Sequence, residues 1–306
     1  MKALASFIMK GPLQAILLVV VSGALSLVLP PLSVLTGGIV ALVTLRNGAK
    51  AGISVLVGAS LILGLFAYFA MPGQGTALIF LLSLLVTVFP VWLLAIVLRS
   101  SISLTKTINL AVIMGGLMVC LVHLLLPDPA LWWEELLHTA IGPALQDAQF
   151  ATQGVDVDAN IKAMSVWMTG LVAAAMTLSY MASLLIARWM QAMLYNPGGF
   201  KQEFLGLRLS REMAITTLVV LLVAFLLDGS VAAIAKDLMW VLGAIYIVPG
   251  LSVVHQWIDT MNSSTIWLVV LYLLLLFVPQ IAVLMAVIGW GDTWMNFRAR
   301  LSREEK

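Results

Sequence analysis

Apolar residues run along this chain in long unbroken stretches, without the strict alternation of half-buried strands. Nine segments stand out: 13–29, 32–45, 51–70, 76–98, 107–126, 164–187, 214–228, 232–257 and 265–290. Runs of about 17 to 25 apolar residues are long enough to cross a bilayer core of roughly 30 Å as helices. A helix satisfies every backbone polar group within the segment, as lipid requires. The pattern therefore predicts an all-α fold, a polytopic transmembrane helix bundle.

Polar positions fall between these segments, and their signs are sorted. Lys2, Lys10, Arg46, Lys50, Arg99, Lys106, Arg188, Lys201, Arg208 and Arg211 all lie on one side if each of the first six segments crosses once. The opposite side receives Pro30–Pro31, the turn 71–75 and the 127–163 connection. That connection carries Asp128, Glu134, Glu135, Asp147, Asp156 and Asp158 against Lys162. Because Lys and Arg stay in the cytoplasm when loops are short, the N-terminus is expected inside and the acidic connection outside. For a bacterial chain this means a multi-pass protein of the inner membrane. Within the acidic connection, Trp132 and Trp133 open a helical pattern that either lies along the outer interface or packs on the bundle as a plain connector.

The final third breaks the alternation. Arg298, Arg300, Arg303 and Lys306 also belong inside, yet nine full crossings would put them outside. The segment chosen to resolve this is 232–257, which carries "VPG" (Val248, Pro249, Gly250) at its middle, since proline removes a backbone donor and breaks a helix. The expectation is about eight crossings plus one broken or re-entrant segment; nine crossings with an outside C-terminus is the alternative.

Composition agrees with the pattern. The 306 residues are 62% hydrophobic and 10% charged, with a mean hydropathy of +1.09, well away from ordinary soluble domains. A single cysteine, Cys120, excludes an internal disulfide and any cysteine metal cluster. There is no Walker loop, HExxH or GxSxG, and His123, His138 and His255 are scattered. The sequence thus predicts no enzyme, no cofactor, no metal site and no nucleic-acid partner.

The stretch "RWMQAMLYNPGGFKQEFLGLRLS" is a basic elbow between two apolar runs, with Asn196-Pro197-Gly198-Gly199 as a turn and Phe200 and Phe204 on the next helix. Together with "PGLSVVHQWI" and "VIGWGDTWMNFRARL", it resembles the YybS-like family of uncharacterised bacterial inner-membrane proteins. That family is thought to be distantly similar to the substrate-binding S components of energy-coupling-factor transporters. The block "PPLSVLTGGIVALVTLRNGAKAGISVLVG" resembles the short second helix and basic turn of the S-component bundle. The resemblance implies a six-helix S-component-like core over 1–190 and an added C-terminal membrane region over 191–306, with a cytoplasmic elbow and an amphipathic tail.

Ionisable and backbone-breaking residues inside such a bundle mark its candidate sites, because a charge near mid-bilayer costs at least roughly 2.5 kcal/mol. Ligand binding is expected at His255, Pro249, Gly250 and Gln256, where a broken helix would free carbonyls and amides, with Asp228 and His123 as further candidates. Partner docking is expected at Asn196, Pro197, Gly198, Gly199, Phe200, Glu203, Asp292 and Arg298. Two functions stay open: a membrane protein that binds, with or without transport, a small or lipid-like ligand within the bundle, or a scaffold that docks membrane or cytoplasmic proteins through its inner loops. Any energy for transport would come from an ATPase partner or an ion gradient.

Overall fold

The computed structural model describes all residues except 71–74, 146–155, 262, 296 and 298–306, and all regular structure among the described residues is helical. In order, the helices are α1 (Lys2–Ile8), α2 (Pro12–Leu25), α3 (Leu32–Asn47), α4 (Ala49–Ala70), α5 (Thr76–Ser101), α6 (Leu104–Leu125), α7 (Pro129–Leu145), α8 (Val157–Tyr195), α9 (Gly199–Leu205), α10 (Arg211–Leu226), α11 (Gly229–Thr260), α12 (Ile266–Phe277) and α13 (Pro279–Met295). α4, α8 and α11, with the Leu81–Ser101 part of α5 and all of α6, are long and apolar enough to cross a membrane; α3 is a shorter apolar helix. Each of the nine apolar segments falls on a helix, and the last is divided between α12 and α13.

α3 forms the centre. Ten consecutive residues, Thr36 to Leu45, are buried, which requires neighbours on every side and explains why this helix has no polar face. Gly37 and Gly38 let α8 come close: a Cβ on Gly38 would lie 3.3 Å from the Ser183 carbonyl oxygen. Thr36 donates to Ser22 on α2 at 2.9 Å, joining two helices by a polar contact that needs no charge.

The two ends of the bundle differ in charge. At the basic end, Arg99 donates to the Leu45 carbonyl at 2.7 Å, and the Arg46 guanidinium sits 4.1 Å from the Tyr195 ring centre. Thr105 donates to the Arg208 carbonyl. At the other end lie Asp128, α7 and the start of α8. α7 packs on α8, with Trp133 Nε1 donating to Thr169 Oγ1 at 2.9 Å. Of the two readings of this connection, the packed connector is the one observed.

The expected break at Pro249–Gly250 is not there. α11 runs as one helix of 32 residues with Pro249 inside it. Pro249 and Gly250 are buried against α13, where a Cβ on Gly289 would lie 3.1 Å from Pro249 Cγ. Protein thus covers the helix around the missing donor, the condition under which a membrane helix tolerates proline. The chain bends instead between α12 and α13, by 116°. Pro279 opens α13, and proline pushes the residue before it out of the helical region; Val278 has φ −125° and ψ 89°. A second bend, of 120°, separates α1 from α2 at Gly11–Pro12.

Both ends of the α12–α13 pair are attached to the basic end. Thr265, just before α12, lines the same cleft as Lys201 and Asp259. Arg208 donates to the carbonyls of Asp292 and Thr293 in the last turn of α13, at 3.0 and 2.9 Å. A cation there satisfies carbonyls that the helix leaves unpaired and complements its dipole.

Candidate functional site

The elbow after α8 is built by the turn at Asn196–Gly198, where Gly198 takes φ +87°, a value that favours glycine. This folds α9 back under α8. Arg188 then meets Glu203 with two nitrogens on two oxygens, the Nε–Oε2 contact being 2.8 Å, and donates a third bond to Gln191. Phe200 and Phe204 stack at 5.8 Å between ring centres. Phe204 turns its ring onto His255 of α11, and its carbonyl accepts from Ser252.

Folding α9 in this way leaves a cleft of about 1040 Å³ between α8, α9, α11 and α12. Its depth is apolar, with Leu178, Ala182 and Ile186 on α8 facing Ile247, Val248 and Leu251 on α11. Its rim is polar and carries Lys201, Asp259, Ser263, Thr265, His255 and Tyr272. Lys201 and Asp259 form an ion pair. His255 Nδ1 lies 2.9 Å from the Leu251 carbonyl, so this nitrogen carries the proton and Nε2 can accept from the Tyr272 hydroxyl at 3.3 Å. α12 buries none of its residues. It stands over the cleft as one wall, touching α11 through that Tyr272–His255 contact and joined to the rest through α13.

A second, smaller pocket of about 190 Å³ lies at the acidic end, lined by His123, Asp128, Asp228 and Lys236 together with Ser165, Trp167 and Thr169 of α8. At its floor the His123 Nε2 is 2.7 Å from Asp237 Oδ2. The other carboxylate oxygen accepts the Gly170 N–H at 3.0 Å. The contact exists because position 170 is glycine: a Cβ there would lie 2.8 Å from the Asp237 Cα. Asp237 is only 5% exposed.

Residues 135–293 match the model of a family described as "Predicted membrane protein (DUF2232)". The chain belongs to this family. The matched region covers most of α7 through α13, hence the whole cleft and Asp237, whereas His123 and Asp128 precede it. Comparison with curated proteins and with solved structures gave no match.

The candidate residues separate into two groups. His255 sits on the wall of the large cleft, but Pro249 and Gly250 face α13 instead of a ligand space, and Gln256 buries its Oε1 without a hydrogen-bond partner among the described residues. His123 and Asp228 belong to the small pocket at the opposite end. On the elbow, Asn196, Pro197 and Gly198 are exposed, Gly199 and Phe200 are half-buried, and Glu203 is held by Arg188. Asp292 is buried in the last turn of α13, and Arg298 lies outside the described residues. Sequence reasoning missed Asp237 and Tyr272. The signal for Asp237 was a carboxylate five residues inside the apolar run 232–257, more than one helical turn from its end.

Proposed function

We propose that this membrane protein binds an amphipathic, lipid-like molecule in the cleft between α8, α9, α11 and α12. The carrying observation is the form of the cleft: an apolar depth from α8 and α11 that ends in a polar rim of Lys201, Asp259, His255 and Tyr272. Its volume lies at the upper end of the roughly 300–1,000 Å³ typical of ligand sites, which suits a long apolar body with a polar head. The cleft is not enclosed, which leaves such a molecule a way in. Binding, and transfer if it occurs, needs no chemistry from the chain, in keeping with a non-enzymatic role.

In this reading the basic end faces the cytoplasm of a bacterial inner membrane, with the N-terminus inside, because Lys and Arg gather there. α12 and α13 then enter and leave on the cytoplasmic side, which lets an inside tail follow an even number of crossings. The YybS-like and S-component resemblance guides the division of labour: helices up to α8 form a core around α3, and α9 to α13 add the cleft. The scaffold reading has less to stand on, since Phe200 and Glu203 are occupied within the chain.

Native mass spectrometry of protein extracted gently from membranes tests the proposal. The expected result is a lipid adduct that Ala182→Trp, which fills the cleft, reduces at least tenfold while the protein keeps its unfolding temperature. An adduct-free wild-type protein, or equal adducts in both, would overturn it.

A further inference from the structure

We propose that the His123–Asp237 pair is a proton-binding site inside the membrane region, loaded and unloaded from the acidic end. It shares no side chain with the cleft, and it stands whether or not a lipid binds there.

Three observations carry it. First, Asp237 and His123 lie in helices that are long and apolar enough to cross a membrane, and an ionisable pair in such a place is by default functional. Second, the two carboxylate oxygens have different partners. Oδ1 accepts the Gly170 N–H, a donor that neither gives up nor gains a proton, whereas Oδ2 faces His123 Nε2 at 2.7 Å. Proton exchange is thereby confined to the imidazole side. Third, the pair is not sealed. His123 lines the 190 Å³ vestibule, which has room for a few waters of about 30 Å³ each, and its side chain keeps 13% exposure.

The step balances simply. A water in the vestibule hands a proton to the second ring nitrogen of His123, while Nε2–H stays donated to Asp237 Oδ2. The pair passes from a net charge of −1 to neutral, and release to water reverses it. In a low-dielectric setting the neutral form needs less solvation, so proton loss favours water entry between α6, α8 and α11. The other groups lining the vestibule are Asp128 from the link before α7, Asp228 at the start of α11 and Lys236 within it, and from α8 the hydroxyls of Ser165 and Thr169. The vestibule thus leans acidic, which draws cations inward.

The test uses the full chain in lipid nanodiscs with ¹⁵N-labelled histidine, where the three ring signals are assigned by His123→Gln and His255→Gln. On acidification the His123 ring is expected to go from one proton to two. Trp167 and Trp240, which touch edge to face at 6.2 Å beside Gly170, report the change in fluorescence. In Asp237→Asn, which keeps the size and the Gly170 contact, the response of the His123 ring is expected to differ, because its carboxylate partner is gone. A His123 ring that stays in one form in the wild-type protein, or that behaves identically in Asp237→Asn, overturns the proposal. The first reading needs no variant at Asp237, so a folding defect there leaves the test intact.

Discussion

Gly289 on α13 and Gly250 on α11 meet with almost nothing between their backbones: a Cβ on Gly289 would lie 2.8 Å from the Gly250 nitrogen. Each glycine also faces a carbonyl of the other helix, Gly289 that of Tyr246 and Gly250 that of Met285. Gly250→Ala and Gly289→Ala should each cost about 1–3 kcal/mol, the usual penalty of overpacking. Gly243→Ala, on the same helix with open space around it, should be neutral or stabilise by up to about 1 kcal/mol through helix propensity. Thermal unfolding in detergent ranks the three, and equal midpoints would contradict the close crossing.

The bidentate Arg188–Glu203 contact makes a second forecast. A lysine has no planar fork, so Arg188→Lys should lose most of the pair despite keeping the charge. For a half-buried pair the loss is about 1 kcal/mol. Proteolysis within 196–205 should rise with it, because this contact pins α9 beneath α8. Unchanged cleavage would mean that the contacts of Phe204 and Lys201 with α11 hold the elbow without it.

Sidedness can be read by labelling, since Cys120 is the one native thiol. In a Cys120→Ser background, Asn196→Cys and Ser264→Cys should react with an impermeant maleimide from one face and Asp156→Cys from the other. Labelling of Ser264→Cys from the Asp156 side would remove the same-sided reading of α12 and α13.

At the acidic end, Trp133→Phe keeps an aromatic ring, smaller than the indole, and deletes the donor to Thr169. The expected loss is about 1 kcal/mol, with α7 becoming the first segment cut by added protease. An unchanged protease pattern would assign the docking of α7 to apolar contact alone.

Much of this fold was legible in the sequence because lipid restricts it to helices. The nine apolar segments and the clustering of Arg46, Arg99, Arg188 and Arg208 at one end followed from hydropathy and charge alone. The position of the break did not. Pro249 and Pro279 carry the same local signal, and what separates them is tertiary: α13 covers the first, whereas the second has Val278 in an extended conformation before it. The cleft was half legible. His255 stood out as a polar residue near an interruption, but its partner Tyr272 comes from a helix whose distance to it depends on the bend. Asp237 went unrecognised for a similar reason, since its meaning lies in Gly170 and His123, far away in the chain.

α8 is an uninterrupted helix of 39 residues, roughly 58 Å at about 1.5 Å per residue, and it lines both pockets. α11 does the same alongside it, from Asp237 to His255, with Pro249 held against α13 on the way. Neither of these shafts is broken, because α13 packs over the proline of the second. Vestibule and cleft are therefore spaced along the same two continuous helices, so the distance between them is set by backbone hydrogen bonds and not by loops.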